Sequence, residues 1–187
     1  MRLLIAALAL FLLPAACAGG SETSSPTRSP APTCTIDQLS GAFIRGGAAA
    51  GSSGLTYGIT NIGPEACTLP GPPTLRLEDA DGKDVGVTYT TNTICDTNQS
   101  DACVSGPLEV PPDNSTPFDR PGAPGQVDLL LLVANSANFD PPCNQVFPAI
   151  ENLGLSFDGV NGELQLPWKG PIFLQKCYPQ VNLYSFS

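Results

Sequence analysis

Short runs of alternating apolar and polar residues, separated by proline and glycine, constrain the fold of this chain more than any other feature. The clearest run is Ser53–Ile62, in which Leu55, Tyr57 and Ile59 share one face of an extended strand. No stretch keeps a period of 3.6 residues over three turns, and three Pro-Pro pairs interrupt the chain. The pattern therefore predicts an all-β fold.

Further strands follow along the chain. Thr74–Glu78 and Val85–Tyr89 flank a polar turn at Asp79–Asp84, so this pair is expected to form a β-hairpin. Residues 126–134 read QVDLLLLVA, a short apolar run typical of a strand that is buried on both faces. Three more strands are predicted, at 153–157, 163–166 and 181–186. The fold class expected is an immunoglobulin-like antiparallel β-sandwich of about seven to nine strands.

The N-terminus predicts export. One basic residue, an apolar stretch and two small residues precede Cys17, as in a secretory signal peptide over residues 1–16. Cys17 stands where a bacterial lipoprotein signal places its lipidated cysteine, although Pro14 occupies the position where leucine is usual. We expect an acyl anchor such as palmitate on Cys17. Ordinary signal cleavage remains the alternative, because Ala16-Cys17-Ala18 also fits the small-x-small rule.

The segment after the predicted cleavage site has the composition of a flexible tether. Within 18–33, twelve of sixteen residues are Gly, Ser, Thr or Pro, and no large apolar side chain is present. Such a segment buries too little surface to offset the entropy of ordering it. The sequence thus divides into a signal peptide at 1–16, a lipidated cysteine with a disordered tether at 17–33, and one β-sandwich domain at 34–187.

Charge and the lack of histidine exclude several function classes. The chain has 8 basic and 17 acidic residues, a formal net charge of −9, and no histidine. An acidic chain is a poor partner for the phosphate backbone of nucleic acid. Without histidine there is no Ser-His-Asp triad and no Cys-His dyad. We expect no cofactor, and we expect the membrane to be reached through the acyl anchor rather than through a basic patch.

The cysteine count predicts disulfides. Once Cys17 is assigned to the lipid, six cysteines remain, an even number that favours three bridges in an oxidising compartment. Six cysteines permit 15 pairings, and the sequence alone does not choose among them. Proximity along the chain favours Cys34–Cys67, Cys95–Cys103 and Cys143–Cys177. A thiolate metal site is the rival interpretation, but no C-x-x-C pair is present.

Two oxygen-rich segments resemble calcium loops in composition only. Asp79, Asp81 and Asp84 lack the bidentate Glu of an EF-hand loop, so a solvated turn is the better interpretation. A second group lies inside the predicted Cys95–Cys103 loop and comprises Asp96, Asn98, Ser100 and Asp101. Polar loops of this kind are usually only hydrated, and no metal site is predicted.

Aromatic and carboxylate side chains near the C-terminus are weaker candidates. Trp168, with Phe173 and Tyr178 nearby, suits an aromatic platform for a sugar or peptide, but a lone tryptophan in a sandwich is more often a core residue. Asp158 and Glu163 form a carboxylate pair of the type that glycosidases use, yet any acidic chain offers such pairs.

Residues from Cys34 to Val87 resemble a known family. After Cys34 and a Gly/Ala/Ser-rich segment, a strand ends in Thr60-Asn61-Ile62-Gly63, followed by Cys67-Thr68-Leu69 and Pro70-Gly71-Pro72-Pro73. This is similar to an uncharacterised actinobacterial family of secreted proteins and lipoproteins, described as a domain of unknown function. The resemblance implies one immunoglobulin-like sandwich with the first two cysteines bridged. It implies no activity and no site residues, and residues 95–187 depart from it.

The expected function is that of a membrane-anchored binding or structural module of the bacterial cell envelope, not of an enzyme. Its partner would be an envelope protein, a peptide or a glycan, bound by loops, by a sheet face or by a sheet edge. One alternative is a secreted protease inhibitor that presents the Pro-rich loop 95–112. The other is a hydrolase that uses carboxylates such as Asp158 and Glu163.

Overall fold

The computed structural model describes residues 29–49, 52–91, 107–113, 121–134, 149–170 and 180–186. Beyond Pro30, these residues belong to one structural unit, Ala31–Ser187. Several predicted features lie outside the described residues: the signal peptide at 1–16, Cys17, the Cys95–Cys103 and Cys143–Cys177 bridges, the oxygen-rich loop at 96–101, Phe173 and Tyr178. Within the described ranges, no helix is long and apolar enough to cross a bilayer.

Ten strands and one short 3₁₀ helix, Ile36–Gln38, form in the described residues. The strands are β1 (Leu39–Ala49), β2 (Ser52–Asn61), β3 (Cys67–Leu69), β4 (Thr74–Glu78), β5 (Thr88–Thr91), β6 (Leu108–Val110), β7 (Gln126–Ala134), β8 (Asn152–Ser156), β9 (Leu164–Pro167) and β10 (Gln180–Phe186). The large sheet has the order β1-β2-β7-β10-β5, the small sheet β4-β8-β9, and β3 pairs with β6. All pairs are antiparallel except β10 with β5. The predicted fold class, an antiparallel β-sandwich of about seven to nine strands, is confirmed, and ten strands form in the described residues.

The large and small sheets pack face to face around a single hydrophobic core. Their inward side chains form one cluster that includes Leu55, Tyr57, Ile59, Leu129 and Leu131 from the large sheet and Leu75, Leu77, Leu153, Leu155 and Leu166 from the small sheet. Burying each such side chain contributes about 1.5–3 kcal/mol. Trp168 belongs to the same cluster and is only 8% exposed, so its predicted core position is confirmed.

The predicted bridge between Cys34 and Cys67 is present and fixes the start of the domain to β3. Cys34 N–H donates to Thr68 O at 3.0 Å, and Thr68 N–H donates to Pro32 O at 2.7 Å. Thr68 Oγ1 also donates to Ala31 O at 3.3 Å. The hydrogen-bonded chain therefore begins three residues before Cys34, within the segment whose composition predicts a disordered tether.

The predicted hairpin between Thr74–Glu78 and Val85–Tyr89 forms only at its tip, where Glu78 and Asp84 make an antiparallel bridge and Val85 N–H donates to Leu77 O at 3.0 Å. The first strand forms as β4, but the chain then leaves the small sheet. Asp84 Oδ1 accepts a hydrogen bond from Gly86 N–H at 2.7 Å, and Gly86 has a φ of +72°, a conformation that favours glycine. After this turn the second strand, β5, begins at Thr88 and pairs in parallel with β10 in the large sheet.

Two strands of the large sheet also differ from expectation. β1 forms where the composition indicated only a Gly/Ala/Ser-rich segment, because its pairing with β2 from Leu39 to Ala49 outweighs the low strand propensity of glycine and alanine. β7 was expected to be buried on both faces. Its inward residues are buried, whereas Leu130 and Leu132 on the outward face are only half-buried.

Candidate functional site: a cavity around Arg76

The outward face of the small sheet carries a charged group that spans all three strands. Arg76 of β4 lies opposite Gly154 of β8, which in turn lies opposite Gln165 of β9. Because side chains alternate along a strand, Leu75 and Leu77 enter the core and Arg76 points outward. The guanidinium therefore lies on the solvent side of the sheet, above its central strand.

Glu163 crosses the central strand to reach Arg76. Arg76 Nε donates to Glu163 Oε1 at 3.3 Å, and Nη2 donates to Glu163 Oε2 at 2.5 Å. A Cβ at Gly154 would lie 2.0 Å from Glu163 Oε1, so only glycine leaves this path open. The hydrogen bond to Glu163 raises the pKa of Arg76 above its usual value, which keeps the guanidinium charged.

Glu78 lies next to Arg76 on the same face and is 3% exposed. Its Oε1 contacts Arg76 Nη2 as an ion pair, but it accepts no hydrogen bond from the residues that the structure describes. A buried carboxylate without such compensation is costly, so the guanidinium contact offsets part of the cost of burying Glu78. Arg76 therefore forms ion pairs with two carboxylates, one buried and one partly exposed.

Tyr89 of β5 closes one side of the group. Its hydroxyl oxygen accepts a hydrogen bond from Leu77 N–H at 2.6 Å, which satisfies a backbone donor at the edge of β4. Burial raises the pKa of Tyr89 to about 12, against the opposing effect of the Leu77 hydrogen bond, and the charge of Asp84 adds to the increase. The phenol is therefore neutral at physiological pH.

These side chains line an open cavity of about 460 Å³. The lining residues are Thr74, Leu75, Arg76, Asp84, Tyr89, Ser156 and Glu163. The cavity combines a guanidinium, two carboxylates, two aliphatic hydroxyls and a phenol, and its volume is in the range of small-molecule sites. Two of the five N–H donors of Arg76 are used by Glu163, so donors and acceptors both remain for a bound molecule.

The two carboxylates suggested for a hydrolase, Asp158 and Glu163, lie in different surroundings. Glu163 is held by Arg76, and Gln165 Nε2 also donates to its Oε2 at 3.3 Å. Asp158 lies exposed in the turn after β8. Sequence reasoning named Glu163 but missed Arg76, because the two residues are 87 positions apart and no local pattern connects them.

The other sequence candidates lie away from this cavity or stabilise turns. Asp79 Oδ1 accepts hydrogen bonds from Asp81 N–H at 3.0 Å and from Lys83 N–H at 2.9 Å, which confirms the predicted polar turn. Part of the loop proposed for a protease inhibitor, 107–112, is described, and there β6 pairs with β3 and Val110 is fully buried.

The Thr-Asn-x-Gly sequence has a structural role. Asn61 is fully buried, and its Nδ2 donates to Glu65 O at 2.7 Å and to Val110 O at 3.1 Å. Its Oδ1 accepts from Gly63 N–H at 2.8 Å. The side chain thus fixes the turn after β2 and holds β6 beside it, with each polar atom satisfied.

Comparison with known proteins finds a similarity over about a third of the chain. A family model for a domain of unknown function, DUF4232, matches residues 34–94. No curated protein and no solved structure matches the chain. The matched range contains β1 to β5, the Cys34–Cys67 bridge and the Arg76, Asp84 and Tyr89 side of the cavity. Ser156 and Glu163, which complete the cavity, lie beyond it.

Proposed function

We propose that this chain is a non-catalytic binding module of the bacterial cell envelope, held at the outer face of the cell membrane by a lipid on Cys17. The Arg76 cavity carries the proposal, because it brings a guanidinium, two carboxylates, hydroxyls and an aromatic ring together on the face of the small sheet. Export and lipidation are supported by the signal-like N-terminus and by the resemblance of residues 34–87 to actinobacterial secreted proteins and lipoproteins. The alternative is secretion without an anchor.

The chemistry of the cavity favours a ligand rich in hydroxyl groups, such as a glycan. A hydroxyl both donates and accepts, so neighbouring hydroxyls pair well with a guanidinium beside a carboxylate. Arg76 and Glu163 offer that combination, and Ser156 and Thr74 add further hydroxyls. The ring of Tyr89 supplies an apolar surface against which the carbon face of a sugar packs.

A glycan array of bacterial polysaccharide fragments, probed with the exported full-length protein, tests this function. Glu163→Gln keeps the shape of the side chain but removes the charge opposite Arg76, and we expect it to weaken glycan binding at least about tenfold. Asp158→Asn makes the same chemical change in an exposed turn outside the cavity, and we expect it to leave binding unchanged. Equal effects of the two substitutions, or no binding by the unaltered protein, would contradict the proposal.

The same two variants separate binding from hydrolysis. Cleavage of a bound glycan by the unaltered protein, lost in Glu163→Gln, would instead show a carboxylate-dependent hydrolase. For the anchor, mass spectrometry of the N-terminal peptide from membranes should find an acylated Cys17. An unacylated N-terminus would leave secretion as the correct localisation.

A further inference from the structure

Among the described strands, the outer half of β1, residues 45–49, forms an unpaired sheet edge with an unusual surface beside it. β1 is eleven residues long and, among the described strands, pairs only with β2. Residues 45–48 are exposed. An edge strand presents unpaired N–H and C=O groups to which another chain can add by strand pairing. We propose that this edge binds an extended segment of a partner protein that carries an aromatic and an acidic side chain two residues apart.

Edge strands usually carry features that prevent pairing with another chain, and in β1 such a feature lies before this outer half. A register shift between Phe43 and Arg45 marks a bulge, which interrupts pairing at that point. After the bulge the strand reads Arg-Gly-Gly-Ala-Ala at 45–49, with neither proline nor lysine. Within the described ranges no strand pairs with this side of β1, so its backbone groups can form a regular antiparallel ladder.

The outward face beside this edge carries two leucines, Leu130 and Leu132, next to the buried Thr56. Gly47 lies opposite Gly54, and Gly54 lies opposite Leu132. A Cβ at Gly47 would meet nothing within 4 Å, whereas a Cβ at Gly54 would lie 3.7 Å from Leu132 Cδ2. Leu132 thus leans over Gly54, and the space above Gly47 is empty. With Leu130, these residues line a groove of about 460 Å³.

The groove selects a large flat side chain. Strands lie about 4.8 Å apart, so an added strand would run roughly 10 Å from the position of Gly54, over which Leu132 leans. From the added strand, only a long side chain can pass over Gly47 and contact Leu132. An aromatic side chain has this length and few rotatable bonds, so it loses little conformational entropy on binding. Aromatic side chains are known to cover glycine in this way at sheet edges.

Arg45 selects the charge of the partner. It lies two residues before Gly47, on the same outward face, and lines the same groove. It makes no ion pair with any residue in the described part of the chain. Since the chain as a whole carries a net charge of −9, an acidic segment is repelled elsewhere and attracted here. In an antiparallel ladder, the partner residue opposite Gly47 precedes the one opposite Arg45, which predicts the order aromatic-x-acidic.

Fluorescence anisotropy with the full-length protein and labelled nine-residue peptides tests this inference. The probe peptide has Tyr and Glu two residues apart in a Val/Thr background. We expect it to bind, and we expect replacement of its Glu by Lys to weaken binding at least about tenfold. Arg45→Glu should reverse that preference, while Lys83→Glu, the same charge change in an exposed turn, should not. Gly47→Val should block the path of the aromatic ring and weaken binding at least about tenfold.

Three results would overturn the inference. The first is equal binding of a peptide whose alternate amides are N-methylated, because strand addition needs those donors. The second is a charge preference that Arg45→Glu leaves unchanged. The third is a protein that light scattering shows to be a dimer and that Gly47→Val makes monomeric, because a second copy would then be the occupant. None of these outcomes depends on the Arg76 cavity, which lies on the other sheet.

Discussion

The outward faces of the two sheets use glycine in opposite ways. On the small sheet, the space above Gly154 is filled by the carboxylate of Glu163, which passes over the central strand to Arg76. On the large sheet, the space above Gly47 is empty, and Arg45 beside it has no ion-pair partner among the described residues. On the first face a guanidinium is thus paired with two carboxylates, whereas the second has, among the described strands, an unpaired edge beside two leucines. The comparison separates a site preorganised for a small polar ligand from a surface suited to another chain.

The largest difference in stability is expected between alanine substitutions at two neighbouring leucines of β7. Leu131 points into the core and is fully buried, so Leu131→Ala should cost about 3–4 kcal/mol of unfolding free energy. Leu132 is half-buried on the outward face, and Leu132→Ala should cost under about 1 kcal/mol. Urea denaturation measures both. Similar losses for the two variants would mean that the outward face is as tightly packed as the core.

The strands on which this comparison rests were predictable to different degrees. β2, β8, β9 and β10 follow the alternation of apolar residues, because one face of each lies against the core. β1 has no such signal. Its outward Gly47 and its inward Gly41 give no contrast between faces, and only pairing with β2 makes it a strand. The sheet that β5 joins could not be predicted from the sequence either. The chain first pairs back onto the end of β4 at Glu78 and Asp84, and the turn at Gly86 then directs it to the large sheet.

The candidate sites were hidden for a related reason. Glu163 was a plausible functional carboxylate in the sequence, but its partner Arg76 comes from a strand 87 residues earlier. The groove near Arg45 depends on which residues of three strands share a face, and that follows from register rather than from composition. The Cys34–Cys67 bridge, by contrast, was accessible, since it joins consecutive cysteines of the folded part.

A buried tyrosine should make the contact between the two sheets sensitive to alkaline pH. Tyr57 of β2 crosses to the end of β9, where its hydroxyl donates to Pro167 O at 3.3 Å and accepts from Lys169 N–H at 3.0 Å. Burial raises the pKa of Tyr57 to about 12, against the lowering effect of the Lys169 hydrogen bond. The raised pKa in the folded protein means that its contribution is complete below pH 10 and is lost between pH 10 and 12.

Over that interval, stability should fall by about 1.4 kcal/mol per pH unit on account of Tyr57 alone. Thermal or urea unfolding at pH 9, 10 and 11 measures the slope. Tyr57→Phe should be less stable at pH 8, because the backbone N–H of Lys169 loses its acceptor, and should show a shallower loss above pH 10. An unchanged slope in this variant would assign the alkaline loss to other groups, such as Tyr89, whose pKa burial also raises to about 12.

The smallest expected effect tests the glycine comparison directly. Gly154→Ala places a methyl group where Glu163 Oε1 lies, so the flexible end of Glu163 must move away from Arg76, at a cost of roughly 1 kcal/mol. Gly47→Ala meets nothing within 4 Å and should be neutral or slightly stabilising, because alanine loses less backbone entropy on folding. Glycan binding should also differ between the two variants: we expect Gly154→Ala to weaken it and Gly47→Ala to leave it unchanged. Equal stability losses would show that the filled and empty positions do not differ as the geometry indicates.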